Sequence, residues 1–254
     1  MKKIIILGMN RTGTKLASFL ISNAFDLKRV YLEPFSWDRG IVTRPSEDWK
    51  IQQKLRERCQ IGQREHKNLN VISSGNDESP WLNNLLNSPE WDIFKFIEIG
   101  RHDLYKKYNP DAYYISLIRN PIEFIQSIKG MKDARKAVVE QWERLHQDEG
   151  YSDPLPDADK IIGEELAACA KAYYVLYSTL SSFKPNQGIK ITYEELKSES
   201  LPFSSLEQYL DKKMNHLSNR PMLGNSTKTE LTPQEKKYIK GTLHPIYESF
   251  LEGN

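Results

Sequence analysis

The stretch IIILGMNRTGTKLASFL, residues 4–20, sets an apolar, β-branched run before a glycine-flanked turn and a helix-forming tail. Three isoleucines and a leucine without a polar interruption read as a central strand of a parallel sheet, buried on both faces. Leu16, Phe19 and Leu20 then recur at helical spacing, so residues 14–24 are predicted to be a helix. Between the two lie Gly8 and, five positions later, Gly13. A glycine loop between strand and helix lets backbone N–H groups face an anion, and the helix N-terminus adds partial positive charge. A nucleoside-triphosphate loop would follow its second glycine with Lys and then Ser or Thr. Here the order is Gly13-Thr14-Lys15, and Arg11 adds a cation whose fork suits a phosphate or sulfonate. Thr12 and Thr14 add hydroxyl donors. The plain alternative is a strand–helix turn in which the glycines serve only tight packing.

Outward from this unit, apolar runs and helical patterns alternate. VYLEPF (30–35) is predicted to be a second strand ended by Pro34, followed by a helix near 47–60. NVISSG (70–75) and DIFKFIEIG (92–100) are further strand candidates. AYYISLIRNP (112–121) is an apolar run ending in Arg119-Asn120-Pro121, and Asn at the cap with Pro at the first helical position should open a helix. Residues 132–147 and 160–182 have helical spacing, the latter with Leu166, Ala170, Tyr173, Tyr174 and Tyr177 on a broad apolar face. GIKITYEEL (188–196) reads as a strand passing into a turn or helix. Thr232, Pro233 and Glu235 form a cap, first-residue and capping-box set for a last helix. The expected fold is α/β, of the P-loop three-layer type, with a central mostly parallel sheet flanked by helices. Residues 1–254 are expected to form one domain, with 148–160 as a surface loop.

The chain's 254 residues carry 36 Lys and Arg against 34 Asp and Glu, and a net charge of +2 argues against a generic nucleic-acid binder. Two distant cysteines, Cys59 and Cys169, read as free thiols in a reducing compartment. The histidines form no ligand spacing, so no metal is expected. The apolar start is about seven residues long and lacks a cleavage site, unlike a signal peptide. No run approaches the roughly 18 apolar residues of a membrane span. The expectation is a cytoplasmic protein without integral membrane contact.

Ser127 follows Arg119 by eight residues, inside the predicted helix. Strand exits at the carboxyl edge of a parallel sheet are where ligands sit in such folds. Alone, an Arg at a strand exit is often merely solvated. Together, GMNRTGTKL and LIRNPIEFIQSIKGM resemble the sulfotransferases that use 3′-phosphoadenosine-5′-phosphosulfate (PAPS). That family has an Arg/Lys-Ser/Thr-Gly-Thr-Thr loop for the 5′-phosphosulfate. It also has a later Arg-Asp/Asn-Pro strand end, with a Ser eight residues past the Arg, for the 3′-phosphate. YNPDAYYISLIRNP, ITYEELKSES and GNSTKTELTPQE extend the resemblance, and residues 36–90 are unmatched.

The resemblance implies PAPS as sulfonate donor and 3′-phosphoadenosine-5′-phosphate (PAP) as product, with Arg11, Thr12, Gly13 and Thr14 on the 5′-phosphosulfate. It puts Arg119 and Ser127 on the 3′-phosphate, Tyr193 by the adenine, and Gly224, Asn225 and Lys228 on a closing segment. Lys15 stands where the family has a second Thr; it either faces the sulfonate or is an exposed helix residue.

Sulfonate transfer needs in-line alignment, positive charge and a base for the acceptor proton. Arg11, with Lys15 and Lys95, would supply the charge. Glu98, His102 and Glu33 are the candidate bases, with Glu98 favoured for its place at a strand exit. A small-molecule or glycan acceptor would meet residues 36–90 and 148–160, where Trp37, Trp49 and Trp81 either stack on it or serve packing. Two rival readings are a P-loop kinase using ATP or GTP and a non-catalytic nucleotide-binding module.

Overall fold

All four residues of Ile4–Leu7 are buried in β1, as a strand covered on both faces requires. The computed structural model describes residues 2–32, 47–62, 79–148, 150–198, 201–215 and 229–252. After β1 come α1 (Thr14–Phe25), β2 (Arg29–Leu32), α2 (Glu47–Arg58), β3 (Gln60–Gly62), α3 (Ser79–Asn87) and β4 (Ile93–Phe96). Next are α4 (His102–Tyr108), β5 (Tyr113–Ile118), α5 (Pro121–Lys129), α6 (Lys132–Glu143) and a π-helical turn, Arg144–Asp148. The chain continues with α7 (Ala158–Ile162), α8 (Glu164–Ser182), β6 (Gln187–Thr192), α9 (Tyr193–Lys197), α10 (Ser204–Leu210), α11 (Pro233–Thr242) and α12 (His244–Glu252).

The described strands form one sheet in the order β3-β2-β4-β1-β5-β6, and every pairing is parallel. The fold is thus α/β, with helical layers on both faces of the sheet. On one face Leu16, Phe19 and Leu20 of α1 and Leu55 of α2 pack with Ile4, Ile6, Ile93 and Ile115. On the other, Tyr173 and Tyr177 of α8 and Phe124 of α5 pack with Ile5, Leu7, Phe94 and Tyr114. β1 lies between β4 and β5. The loops after these three strands therefore open side by side at the carboxyl edge, where the chain reverses its winding direction and ligands bind in open α/β sheets.

Local signals set the boundaries around that edge. Asn120 caps α5 by accepting from the Ile122 and Glu123 N–H groups, with Pro121 as first helical residue. Thr192 with Glu195, and Thr232 with Glu235, close reciprocal capping boxes on α9 and α11.

The expected helix over 160–182 is two helices, broken at Gly163 with φ 78°. The last helical stretch is likewise two, α11 and α12. β3, α3, α4 and α10 match no element expected from the sequence. The expected surface loop 148–160 is tied down where it is described. Leu155 is buried, and Lys171 of α8 pairs with Asp153 at 2.8 Å and Asp159 at 2.6 Å. The strand expected at 70–75 lies outside the described residues, as do Glu33, Trp37, Gly224, Asn225 and Lys228; the side chains of Trp49 and Trp81 are not described.

Candidate functional site

The turn after β1 is backbone-strained. Arg11 has φ 70° and Gly13 φ 93°, so two left-handed residues flank Thr12. An unstrained turn would not place a non-glycine residue there, and such residues gather at functional sites. Gly8 is required by space. A Cβ on it would lie 2.8 Å from Thr14 Cγ2 and 3.0 Å from the Leu117 carbonyl oxygen. Thr12 is fully buried and turned inward; its hydroxyl and its N–H both donate to the Met9 carbonyl. Its role in the loop is thus to hold the turn's shape. Thr14 is the first residue of α1 and is also buried.

The turn meets the end of β5, over a hundred residues away. Arg11 Nε donates to Ser127 Oγ at 3.1 Å. Arg119 Nη1 donates to the Arg11 carbonyl at 3.0 Å, and its Nη2 bonds Glu123 Oε2 at 3.3 Å. The Arg119 guanidinium lies 4.4 Å from the centroid of the Tyr193 ring, and that ring packs against Gly13. Arg11, Gly13, Arg119, Ser127 and Tyr193 are therefore brought together. Arg119 is 3% exposed, and its Nε is buried without a hydrogen-bond partner. A buried guanidinium donor left unpaired is costly unless an acceptor completes it.

Two phenols that the sequence presented as core residues hold this arrangement from below. Tyr173 Oη donates to the Arg119 carbonyl at 2.9 Å, and Tyr177 Oη donates to the Leu117 carbonyl at 2.9 Å. Their spacing of four residues on α8 aims both at the end of β5. Burial pushes both phenols up, so they remain neutral donors.

Gly13 carries the first mutational expectation. A Cβ there would stand 2.5 Å from Tyr193 Cδ2, on a backbone that L side chains rarely adopt. Gly13→Ala should cost about 2 kcal/mol, read as a Tm lower by about 4–8 °C in calorimetry.

A second cluster lies at the exit of β4. Lys95 is 1% exposed and shares the α1 face of the sheet with Ile6, its register partner. Burial depresses the Lys95 amine well below its usual range; Lys15 adds to this and Glu98 opposes it. Lys15, left open by the sequence, is thus close enough to Lys95 to act on its charge. Glu98 Oε2 accepts from the Ile97 N–H at 3.0 Å, while Oε1 is buried without a hydrogen-bond partner. Burial raises the Glu98 carboxyl; the backbone N–H groups of Glu98 and Ile97, then Lys95 and Arg101, pull it back.

His102 is set apart from both clusters. Its ring lies edge-on to Phe183, which packs against Tyr114 early in β5, and burial lowers its basicity.

Glu194 escaped the sequence reading. Both its carboxyl oxygens are buried without a hydrogen bond of good geometry, and burial raises its pKa; its own backbone N–H opposes the shift, Glu123 adds to it, and Lys197 and Arg119 oppose it. A carboxyl raised on folding holds its proton longer in the folded state, so stability falls as pH climbs from 4.5 through the raised value. Glu194→Gln should therefore stabilise the protein at pH 8 by about 1 kcal/mol. The gain should vanish near pH 4, where both side chains are neutral; urea unfolding at the two pH values reads it.

Among the described residues, no cluster of three or more His, Cys, Asp or Glu side chains could hold a metal ion. No described helix is long and apolar enough to cross a membrane. No protein-family model matches the chain, and no curated protein matches it. Among solved structures, the chain is similar to a sulfotransferase from Alicyclobacillus acidocaldarius, at 15% identity and a TM-score of 0.46. That similarity covers 98% of this chain and 94% of the other.

Proposed function

We propose that this protein transfers a sulfonate group from PAPS to a hydroxyl or amine of a small-molecule or carbohydrate acceptor. The observation that carries the reading is the junction of the two anion loops, in which Arg11 bonds Ser127 and Arg119 bonds the Arg11 carbonyl. A nucleotide with phosphates at two positions needs two anion grips on one surface, and this junction ties the turn that carries Arg11 to Arg119 and Ser127.

In this reading Arg119, through its unpaired Nε, and Ser127 hold the 3′-phosphate. The backbone of the 11–14 turn, Arg11 and the α1 N-terminus hold the 5′-phosphosulfate. Tyr193 flanks the adenine, and Asn225 and Lys228 close over the nucleotide. The donor supplies an activated sulfonate with a good leaving group. Lys95 and Lys15 oppose the charge that develops as the sulfur–oxygen bond to PAP breaks, the task a metal ion has in phosphoryl transfer. Glu98 takes the proton from the acceptor as the new bond to sulfur forms.

Titration with PAP, AMP, and ATP with and without magnesium, followed by thermal shift, tests this. Preferential stabilisation by PAP over AMP without a magnesium requirement is the expected result. Stabilisation by magnesium-ATP and not by PAP would instead support phosphoryl transfer.

A further inference from the structure

We propose that Glu123 competes with the nucleotide's 3′-phosphate for Arg119 and so weakens the hold on the nucleotide. This rests on the reading of Arg119 as the 3′-phosphate residue. Three interactions hold the guanidinium: the Arg11 carbonyl, the Tyr193 ring and the Glu123 carboxylate. The first two belong to the loop and to a ring packed on Gly13, and cannot leave without disturbing the turn. Glu123 can. Its side chain is 30% exposed, it sits in the first turn of α5, and rotation toward solvent would free Nη2.

Its bond is also long. At 3.3 Å it exceeds the 2.7–2.9 Å usual for a charge-assisted N–H···O pair. Glu194 increases the pressure on it. That carboxyl is buried without a hydrogen bond of good geometry on either oxygen, and it senses both Glu123 and Arg119. A phosphate arriving at Arg119 would meet two carboxyls around one guanidinium. Like charges held this close are strongly unfavourable, and the exposed carboxylate is the one that can yield. The consequence would be faster loss of PAP, the step that limits turnover in many enzymes.

Calorimetric titration of wild type, Glu123→Gln and Glu123→Ala with PAP and with AMP tests this, with each variant's thermal unfolding recorded first. Both variants should bind PAP about tenfold more tightly than wild type, with AMP binding unchanged. Equal or weaker PAP binding by both folded variants would overturn the proposal and make Glu123 a support for Arg119. A wild type that binds PAP no better than AMP would strike the 3′-phosphate reading itself, whatever the variants do.

Discussion

Arg119→Ala should weaken PAP binding about 10²–10³-fold while changing AMP binding only a few-fold. The size follows from what the side chain leaves behind. Removing one partner of a buried, hydrogen-bonded charge pair costs about 2–5 kcal/mol, because the other charge stays without a partner. Here the loss would be compounded. Glu123 and Glu194 would remain around the emptied position without the guanidinium that offsets their charge there. The difference between PAP and AMP is the deciding quantity, since AMP lacks only the 3′-phosphate. Arg119 also bonds the Arg11 carbonyl, so the 11–14 turn should loosen slightly and AMP should lose a little affinity. Equal loss of both ligands would make Arg119 a scaffold for the turn and remove it from phosphate recognition. Arg119→Lys should fall between, because an ammonium keeps the charge but has no planar fork to serve the carbonyl and a phosphate together. Isothermal titration of the three proteins with both nucleotides measures each term.

The parts of this site that were legible in the sequence are those whose chemistry is local. β1 and α1 announce themselves through isoleucine runs and helical spacing, and Asn120-Pro121 marks the start of α5 within a single turn. What the sequence could not show is direction. Thr12 looked like a hydroxyl donor for a ligand, but the left-handed turn at Arg11 points it back at the Met9 carbonyl. Tyr173 and Tyr177 read as core aromatics, and they are buried. Yet their hydroxyls reach the end of β5 because α8 lies across that strand, a fact set by tertiary packing. The proximity of Lys15 to Lys95 spans eighty positions and depends on β4 lying beside β1. Glu123 was not legible as a partner of Arg119, because Arg119 lies before the Asn120 cap and outside α5, and the pair forms only where the end of β5 meets the first turn of that helix. Nor was Glu194, because its buried state follows from how α9 is packed and not from its neighbours in the chain. The break at Gly163 was visible as a glycine inside a helical pattern, which the apolar spacing on either side concealed.

Glu98→Gln should lower kcat by about 10²–10⁴-fold, the usual contribution of a positioned general base, while leaving PAP affinity within about twofold. The substitution isolates proton transfer. Gln has the same shape, and its carbonyl oxygen can still accept the Ile97 N–H that orients the native carboxylate. Nucleotide affinity should be spared because Arg11 follows β1, and Arg119 and Ser127 lie at the end of β5 and in α5, whereas Glu98 follows β4. Under the proposed function the native protein should show an acid limb in its pH–rate profile, with turnover rising as Glu98 ionises. Burial raises that carboxyl from its ordinary 4.5, so the limb should lie above the pH expected of an exposed glutamate. Lys95 shapes the same limb. Its charge favours the ionised carboxylate, so Lys95→Met should shift the limb to higher pH as well as slow the reaction. A Glu98→Gln protein with unchanged turnover on a working acceptor would remove Glu98 from the chemistry. Lost turnover together with lost PAP binding would instead mean that the loop after β4 supports the nucleotide site.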